Sequence, residues 1–247
     1  MQNLAPDTNL NQNKKIGRCI FIAKGSFNPG IFYPDWFERH SIMPAEEIEP
    51  LLELPRRKEI PDLKVVLEYG SRFFVEPLRA VIDFKSLPLR VERDSFEMWC
   101  EQRDNFPFMI DVIKKIFRLL PETPIKTYGL NFHEHYQCEE DLNFVSKKLF
   151  SPEESLKDLC GDNCRYGHIL SFNKENAKIN IIIQASQLLE GGIFFKSNFH
   201  YENPELYATF VTENIEKEFQ RCLEFADKVV GNYFENIVSR VDKIPRI

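Results

Sequence analysis

His133 and His135 stand two residues apart in Asn131-Phe132-His133-Glu134-His135-Tyr136. On an extended strand, side chains two apart share a face. A His-x-His pair can then present both imidazoles to one zinc ion. Further donors are needed, and the candidates are His168, His200, Cys138, Cys160 and Cys164, with Cys160-x3-Cys164-x3-His168 grouping two thiols and an imidazole. We take His133, His135 and His168 as the candidate metal ligands. Three ligands with a fourth position open would lower the pKa of a zinc-bound water and support a metal-dependent hydrolase. The spacings match no four-ligand zinc pattern, so a polar strand face with ordinary thiols is the competing reading.

Cysteine nucleophiles are a second class. Cys138 is near His135, and Cys160 and Cys164 are near His168. A thiolate needs an imidazole within hydrogen-bond reach and a third group to orient that imidazole. Sequence proximity supplies neither, and no catalytic signature surrounds these thiols. The carboxylate pairs Glu46-Glu47, Glu139-Glu140 and Glu153-Glu154 read as solvated helix starts or loops. Gly191-Gly192 stands alone and makes no phosphate cradle. Catalytic residues and a cofactor are therefore not assigned, zinc being the alternative.

The chain that must position these residues has 247 residues, 22 of them Phe against 2 Trp and 8 Tyr, which predicts a core filled by phenylalanine. Net charge is −6, and the basic groups Arg56-Arg57-Lys58, Lys114-Lys115 and Lys147-Lys148 are isolated. Nucleic-acid backbones demand clustered cations, so general nucleic-acid binding is disfavoured. Residues 1–14 are polar and Asn-rich; they read as a disordered tail without a signal-peptide core. Ile181-Ile182-Ile183 and the other apolar runs are too short to span a bilayer. The expectation is a cytoplasmic protein whose six cysteines are free thiols.

Residues 16–23 read as a strand and 34–40 as a short helix with Pro34 in its first turn. Residues 44–61, with four prolines, read as an irregular connector holding at most one helical turn. Strands follow over 63–69 and 72–76, joined by a Gly70-Ser71 hairpin turn, then over 78–84 and 89–100. The links are too short for crossover helices, so pairing should be antiparallel. Residues 106–120 carry apolar residues at helical spacing and stop at Pro121. A strand over 125–136, helices over 141–150 and 152–159, and strands over 168–172, 177–185 and 192–201 come next. The clearest element is last. Ala208, Val211, Ile215, Phe219, Cys222, Ala226, Val229, Tyr233 and Ile237 mark one face of a helix of roughly thirty residues. That stripe should lie along the sheet, with a dimer seam as the alternative. The triplet Asn131-Phe132-His133 recurs as Asn198-Phe199-His200 and hints at two related halves, 15–137 and 138–247.

Gly25-Ser26-Phe27-Asn28-Pro29, after the apolar run Cys19–Ala23, resembles the opening turn of nucleotidylyltransferases. In that family the turn leads into a His-x-Gly-His that contacts the transferred phosphate. Ile31, Tyr33 and Pro34 occupy those positions, so the chemistry is not carried over. Gly25 and Gly30 instead allow tight turns, while Phe32, Trp36 and Phe37 cover the core. Three stretches together resemble a family of bacterial proteins of about this length to which no activity attaches. They are Gly25–Phe37, Thr123-Pro124 with Gly129 and Asn131, and Ser186 with Gly192-Ile193 and Asn198–His200. That resemblance implies no catalytic residue or cofactor. A looser likeness in strand–helix order to sporadically distributed bacterial proteins implies a mobile-element or phage-defence setting.

The expected architecture is α+β. A largely antiparallel sheet, or two sheets from two related halves, packs against a mid-chain helix and a long C-terminal helix within one domain, 15–247. The expected function is a non-enzymatic protein-binding or assembly module that captures a protein partner or self-associates, with Ile215, Phe219, Trp36 and Phe37 as candidate contact residues. The alternatives are the hydrolase built on the His-x-His pair and a nucleic-acid-associated subunit.

Overall fold

The computed structural model describes residues 15–52, 57–60, 63–67, 73–137 and 166–241. The expected tail, the Gly70-Ser71 turn, the helices over 141–150 and 152–159, and Cys138, Cys160 and Cys164 lie outside these residues.

The chain begins with β1 (Lys15–Gly25), α1 (Pro34–Arg39) and α2 (Ala45–Leu52). The ribbon strands β2 (Arg57–Ile60) and β3 (Leu63–Leu67) follow. Next are β4 (Phe73–Val75), β5 (Arg79–Ile82), β6 (Leu89–Glu92) and β7 (Ser95–Cys100). Then come α3 (Phe106–Leu119), β8 (Ile125–Tyr136), β9 (Gly167–Lys174), β10 (Ala177–Ala185), β11 (Ile193–Glu202) and α4 (Ala208–Val241). Nine strands form one antiparallel sheet in the order β4-β5-β6-β7-β1-β8-β11-β10-β9, and β2 pairs with β3 separately. The fold is α+β, with a mid-chain and a C-terminal helix as expected.

Contacts cluster into two units, one built from Arg18–Leu130 with His200–Gln220, the other chiefly from Asn131–Phe199 with the chain from Arg221 onward. The divisions fall inside β1, β8, β11 and α4, so the units interleave along the chain.

In the first unit, alternation along β1 buries Cys19, Phe21 and Ala23 on one face, and β7 buries Phe96, Met98 and Cys100 opposite them. The Phe21 ring lies 6.1 Å from Phe96, 6.1 Å from Phe117 on α3 and 6.4 Å from Tyr128 on β8. The phenylalanine surplus is thus used in edge-on and tilted core packing. Gly25 closes β1 beneath Pro124. The Ser26 N–H donates to the Pro124 carbonyl at 2.8 Å, and Asn28 Oδ1 accepts the Gly30 N–H at 3.2 Å. The Gly-Ser-Phe-Asn-Pro turn is a joint between β1 and the start of β8.

In the second unit, β10 buries Ala177, Ile179, Ile181 and Ile183 on the face where the C-terminal half of α4 packs. Phe195 on β11 meets Tyr233 at 5.4 Å and Phe234 at 5.9 Å. Phe225 bridges to Phe199 at 6.0 Å and Phe172 at 6.1 Å.

Three local expectations change. Residues 45–52 form a true helix despite Pro50, because Glu47, Ile48 and Leu51 make a buried stripe. The run 89–100 folds back at Arg93-Asp94 into β6 and β7, with Leu89 opposite Met98 and Val91 opposite Phe96. β3 takes β2 as its partner and β4 takes β5, so the expected 63–69/72–76 hairpin is replaced by two others. The sequence offered short links on both sides of each strand, and hydrophobic patterning alone does not choose between them. The apolar line of α4 runs through Ala208, Val211, Ile215, Phe219, Cys222 and Ala226 as expected. It then passes to Val230 and Phe234, with Val229 and Tyr233 half-buried beside it.

Candidate functional site

His133 and His135 do share one face of β8, opposite the face that carries Tyr128, Phe132 and Tyr136 into the core. Across on β11, the Phe194 ring lies 4.5 Å from His135 and 5.8 Å from His133. Ser186 Oγ is 2.8 Å from His135 Nδ1. The same oxygen accepts the Leu188 N–H at 3.1 Å and the Leu189 N–H at 2.9 Å. Both lone pairs are occupied, so the hydroxyl proton is what Ser186 has left to offer, and it donates to Nδ1. His135 is therefore a neutral acceptor there, and burial holds its pKa below the ordinary histidine value. A serine nucleophile needs a free lone pair and an imidazole oriented by a third group. This serine instead caps the turn at residues 186–189.

His168 lies on β9, opposite Ile183, and so faces the side of the sheet that carries α4. Between β8 and β9 stand β11 and β10. Among the described residues no group of three His, Cys, Asp or Glu side chains is placed to hold a metal ion. The described cysteines, Cys19, Cys100 and Cys222, are buried. The Cys100 thiol donates to the Gln102 carbonyl at 3.1 Å, and burial raises its pKa, which makes it inert.

The repeated triplets meet in space. Asn198 Nδ2 donates to Asn131 Oδ1 at 2.5 Å, and Phe132 packs edge-on to Phe199 at 6.0 Å. They are cross-strand neighbours on β8 and β11, with amides on one face of the sheet and rings on the other.

The candidate contact residues lie in the interior. Ile215 is 0 % and Phe219 1 % exposed, Phe37 is fully buried, and half-buried Trp36 packs edge-on to Phe32 and Phe37 at 5.5 and 5.1 Å. Their apolar surface is used within the chain.

Among the described residues, sequence reasoning missed three buried carboxylates. Glu47, expected in a solvated helix start, takes the Ser86 backbone N–H at 3.2 Å and the Ser86 hydroxyl, and so ties α2 to the loop before β6. Glu134 accepts from the Tyr136 hydroxyl at 3.2 Å. Glu218, which is not part of the apolar stripe read from the spacing, is 9 % exposed and accepts from Tyr128 at 2.5 Å. Burial raises its pKa above the usual carboxylate value, against the opposing pull of Tyr128 and Lys217. Each carboxylate has a hydroxyl partner, as a packing role requires.

Among the described residues, β9 stands out by its exposure. It is the last strand of the sheet, and seven of its eight residues are exposed. Ile169 is 71 %, Leu170 49 % and Phe172 37 % exposed. Among the described residues no strand pairs with the outer side of β9, so it offers backbone groups beside apolar side chains, a template for another strand. The usual protections are sparse here: Gly167–Lys174 contains no Pro, no Asp or Glu, and one Lys at its end. That Lys174 ammonium lies 4.8 Å over the Phe225 ring, and neighbouring Glu175 pairs with Arg221. The low charge and mixed apolar content of Gly-His-Ile-Leu-Ser-Phe-Asn-Lys were readable, but strand order was not.

No protein-family model matches the chain, and no curated protein matches it.

Proposed function

We propose that the protein is a non-enzymatic protein-binding module that docks its partner by strand addition along the outer edge of β9. The observation that carries this reading is the eight-residue edge with Ile169, Leu170 and Phe172 exposed. Strand addition takes affinity from main-chain hydrogen bonds and specificity from alternate side chains. β9 supplies both: Ile169 points to one face, while Leu170 and Phe172 point to the face of α4. The likeness to sporadically distributed bacterial families supports a mobile-element or phage-defence setting for such a module. No helix among the described residues is long and apolar enough to cross a membrane, so the reading needs no bilayer.

The hydrolase alternative requires zinc on His133 and His135, and elemental analysis of the purified protein decides it. Stoichiometric zinc lost on His133→Ala would favour that alternative over ours. For the docking edge, hydrogen exchange of the partner-bound protein should show slowed amides at Ile169, Ser171 and Asn173. Ile169→Lys should abolish the complex while the circular dichroism spectrum stays unchanged. Protection confined to the β4 edge or to the face around Phe194 would sink the docking assignment.

A further inference from the structure

We propose that Cys19 and Cys100 are an oxidation site, a cross-strand thiol pair that closes into a reversible disulfide inside the first unit.

The register makes the pair. Residues directly opposite each other on an antiparallel ladder present their side chains to the same face. Cys19 on β1 is directly opposite Cys100 on β7, and both thiols are fully buried on the core side.

Two hydrogen bonds fix which way the backbones turn. The Trp99 N–H donates to the Pro88 carbonyl at 3.2 Å, toward β6, so Cys100, one residue on, turns its N–H and C=O toward β1. The Gly25 N–H donates to the Asp94 carbonyl at 3.1 Å, toward β7. Counting back by alternate residues along β1 gives Ala23, Phe21 and Cys19 the same direction. Both counts make Cys19 and Cys100 a hydrogen-bonded pair. Such a pair holds its Cα atoms about 5.5 Å apart, within the roughly 4.4–6.8 Å that a disulfide spans. Its Cβ atoms stand at the wide end of the cross-strand range, about 5.5 Å, against about 3.5–4.5 Å in a disulfide. The bond forms only by drawing the two side chains together by about 1 Å. A disulfide held under such strain is reduced more readily than a structural one. The pair therefore belongs with the transient, redox-sensing bonds of reducing compartments.

Closure takes two electrons. The sulfurs are enclosed, so the oxidant must be little larger than water, and hydrogen peroxide fits. One thiol is first oxidised to the sulfenic acid, and one water leaves. The other sulfur then bonds to it, and the sulfenic hydroxyl leaves with the second thiol's proton as another water. In sum, two S–H bonds break, one S–S bond forms and one peroxide becomes two waters. Burial keeps Cys100 protonated and inert toward larger reagents. A sulfur already held opposite needs no approach through solvent, so proximity stands in for intrinsic reactivity.

The surroundings accept the change. The Gln102 carbonyl takes the Cys100 thiol at 3.1 Å and also the Asn105 N–H at 3.0 Å. Oxidation removes the first donor and leaves the second, so this acceptor keeps a partner.

The experiment uses the full, folded chain, treated with hydrogen peroxide, quenched in acid, alkylated in denaturant and digested. The chain should become lighter by two hydrogen atoms, with Cys19 and Cys100 in one linked peptide. The closed loop carries α1, α2 and β2 to β6, so the denatured chain should migrate faster on a non-reducing gel. Cys19→Ala and Cys100→Ala should each abolish the link with the circular dichroism spectrum unchanged. If a variant fails to fold, the peptide map of the unsubstituted protein decides alone. The same treatment in urea should scatter the links among the six cysteines, because the register is gone. Equilibration with millimolar reduced glutathione should reopen the bond. Peroxide that leaves both thiols open to alkylation, or carries either to the sulfinic acid, would overturn the site. So would a link from Cys19 or Cys100 to a different cysteine. A bond that forms but resists glutathione would overturn the reversible switch and mark a structural staple.

Discussion

A Cβ at Gly25 would stand 1.9 Å from the Pro124 carbonyl oxygen and 2.9 Å from the Ile125 Cα, both backbone atoms that cannot step aside. Gly25→Ala should cost about 2–4 kcal/mol, measured by urea denaturation. An unchanged midpoint would mean that the joint between β1 and β8 has slack. Glu218 makes a prediction about pH. Its folded pKa is raised, so between the ordinary carboxylate value and the raised one the folded state holds more protons than the unfolded state. Stability therefore falls as pH rises through that window. Glu218→Gln keeps an acceptor for Tyr128 and removes the charge. It should raise the melting temperature at neutral pH and leave it little changed near pH 4, which a thermal scan at both values checks. His135 works in the opposite sense. Its pKa is lowered by burial, so the unfolded state binds more protons just below the ordinary histidine value, and stability is lost as pH falls there. Part of this site was legible. The shared face of His133 and His135 follows from strand alternation. The neutral acceptor role of His135 does not, because Ser186 lies 51 residues away in the chain.

At the scale of elements, α4 is both the most legible part and the most informative. Its 34 residues extend about 51 Å. Phe219→Ala should cost about 3–5 kcal/mol, since that ring is enclosed. A charge at Ile215 should act the same way, lowering stability before it alters any association. Gly231 lies in the same helix with nothing within 4 Å of the Cβ it lacks, so Gly231→Ala should add about 0.5–1 kcal/mol, read from the denaturation midpoint. A loss there would show that the helix needs the flexibility. The helical period of residues 106–120 and 208–237 could be read because it is set by residues three and four apart along the chain. The strand partners over 57–92 could not. Short strands with short links allow several hairpins, and the choice depends on which side chains reach the core.

For the whole molecule, charge and edge act together. A partner strand added at β9, as proposed, meets a strip without carboxylates and with one Lys at its end. Raising salt from about 0.05 to about 0.3 M should therefore change the affinity of that complex little. A nucleic-acid-associated subunit would instead show a complex that weakens steeply with salt. Sedimentation at the two salt concentrations, with and without DNA, distinguishes them. What the residues determined by themselves was local. Period and alternation depend on neighbours a few positions apart, and they set the two major helices, most strands and the antiparallel class. Which strand stands at the end of the sheet, which carboxylates are enclosed and which apolar stripe is already covered were decided only by tertiary packing. Each depends on what lies beside a residue in space, and one extended apolar run reads alike in the centre of a sheet and at its edge.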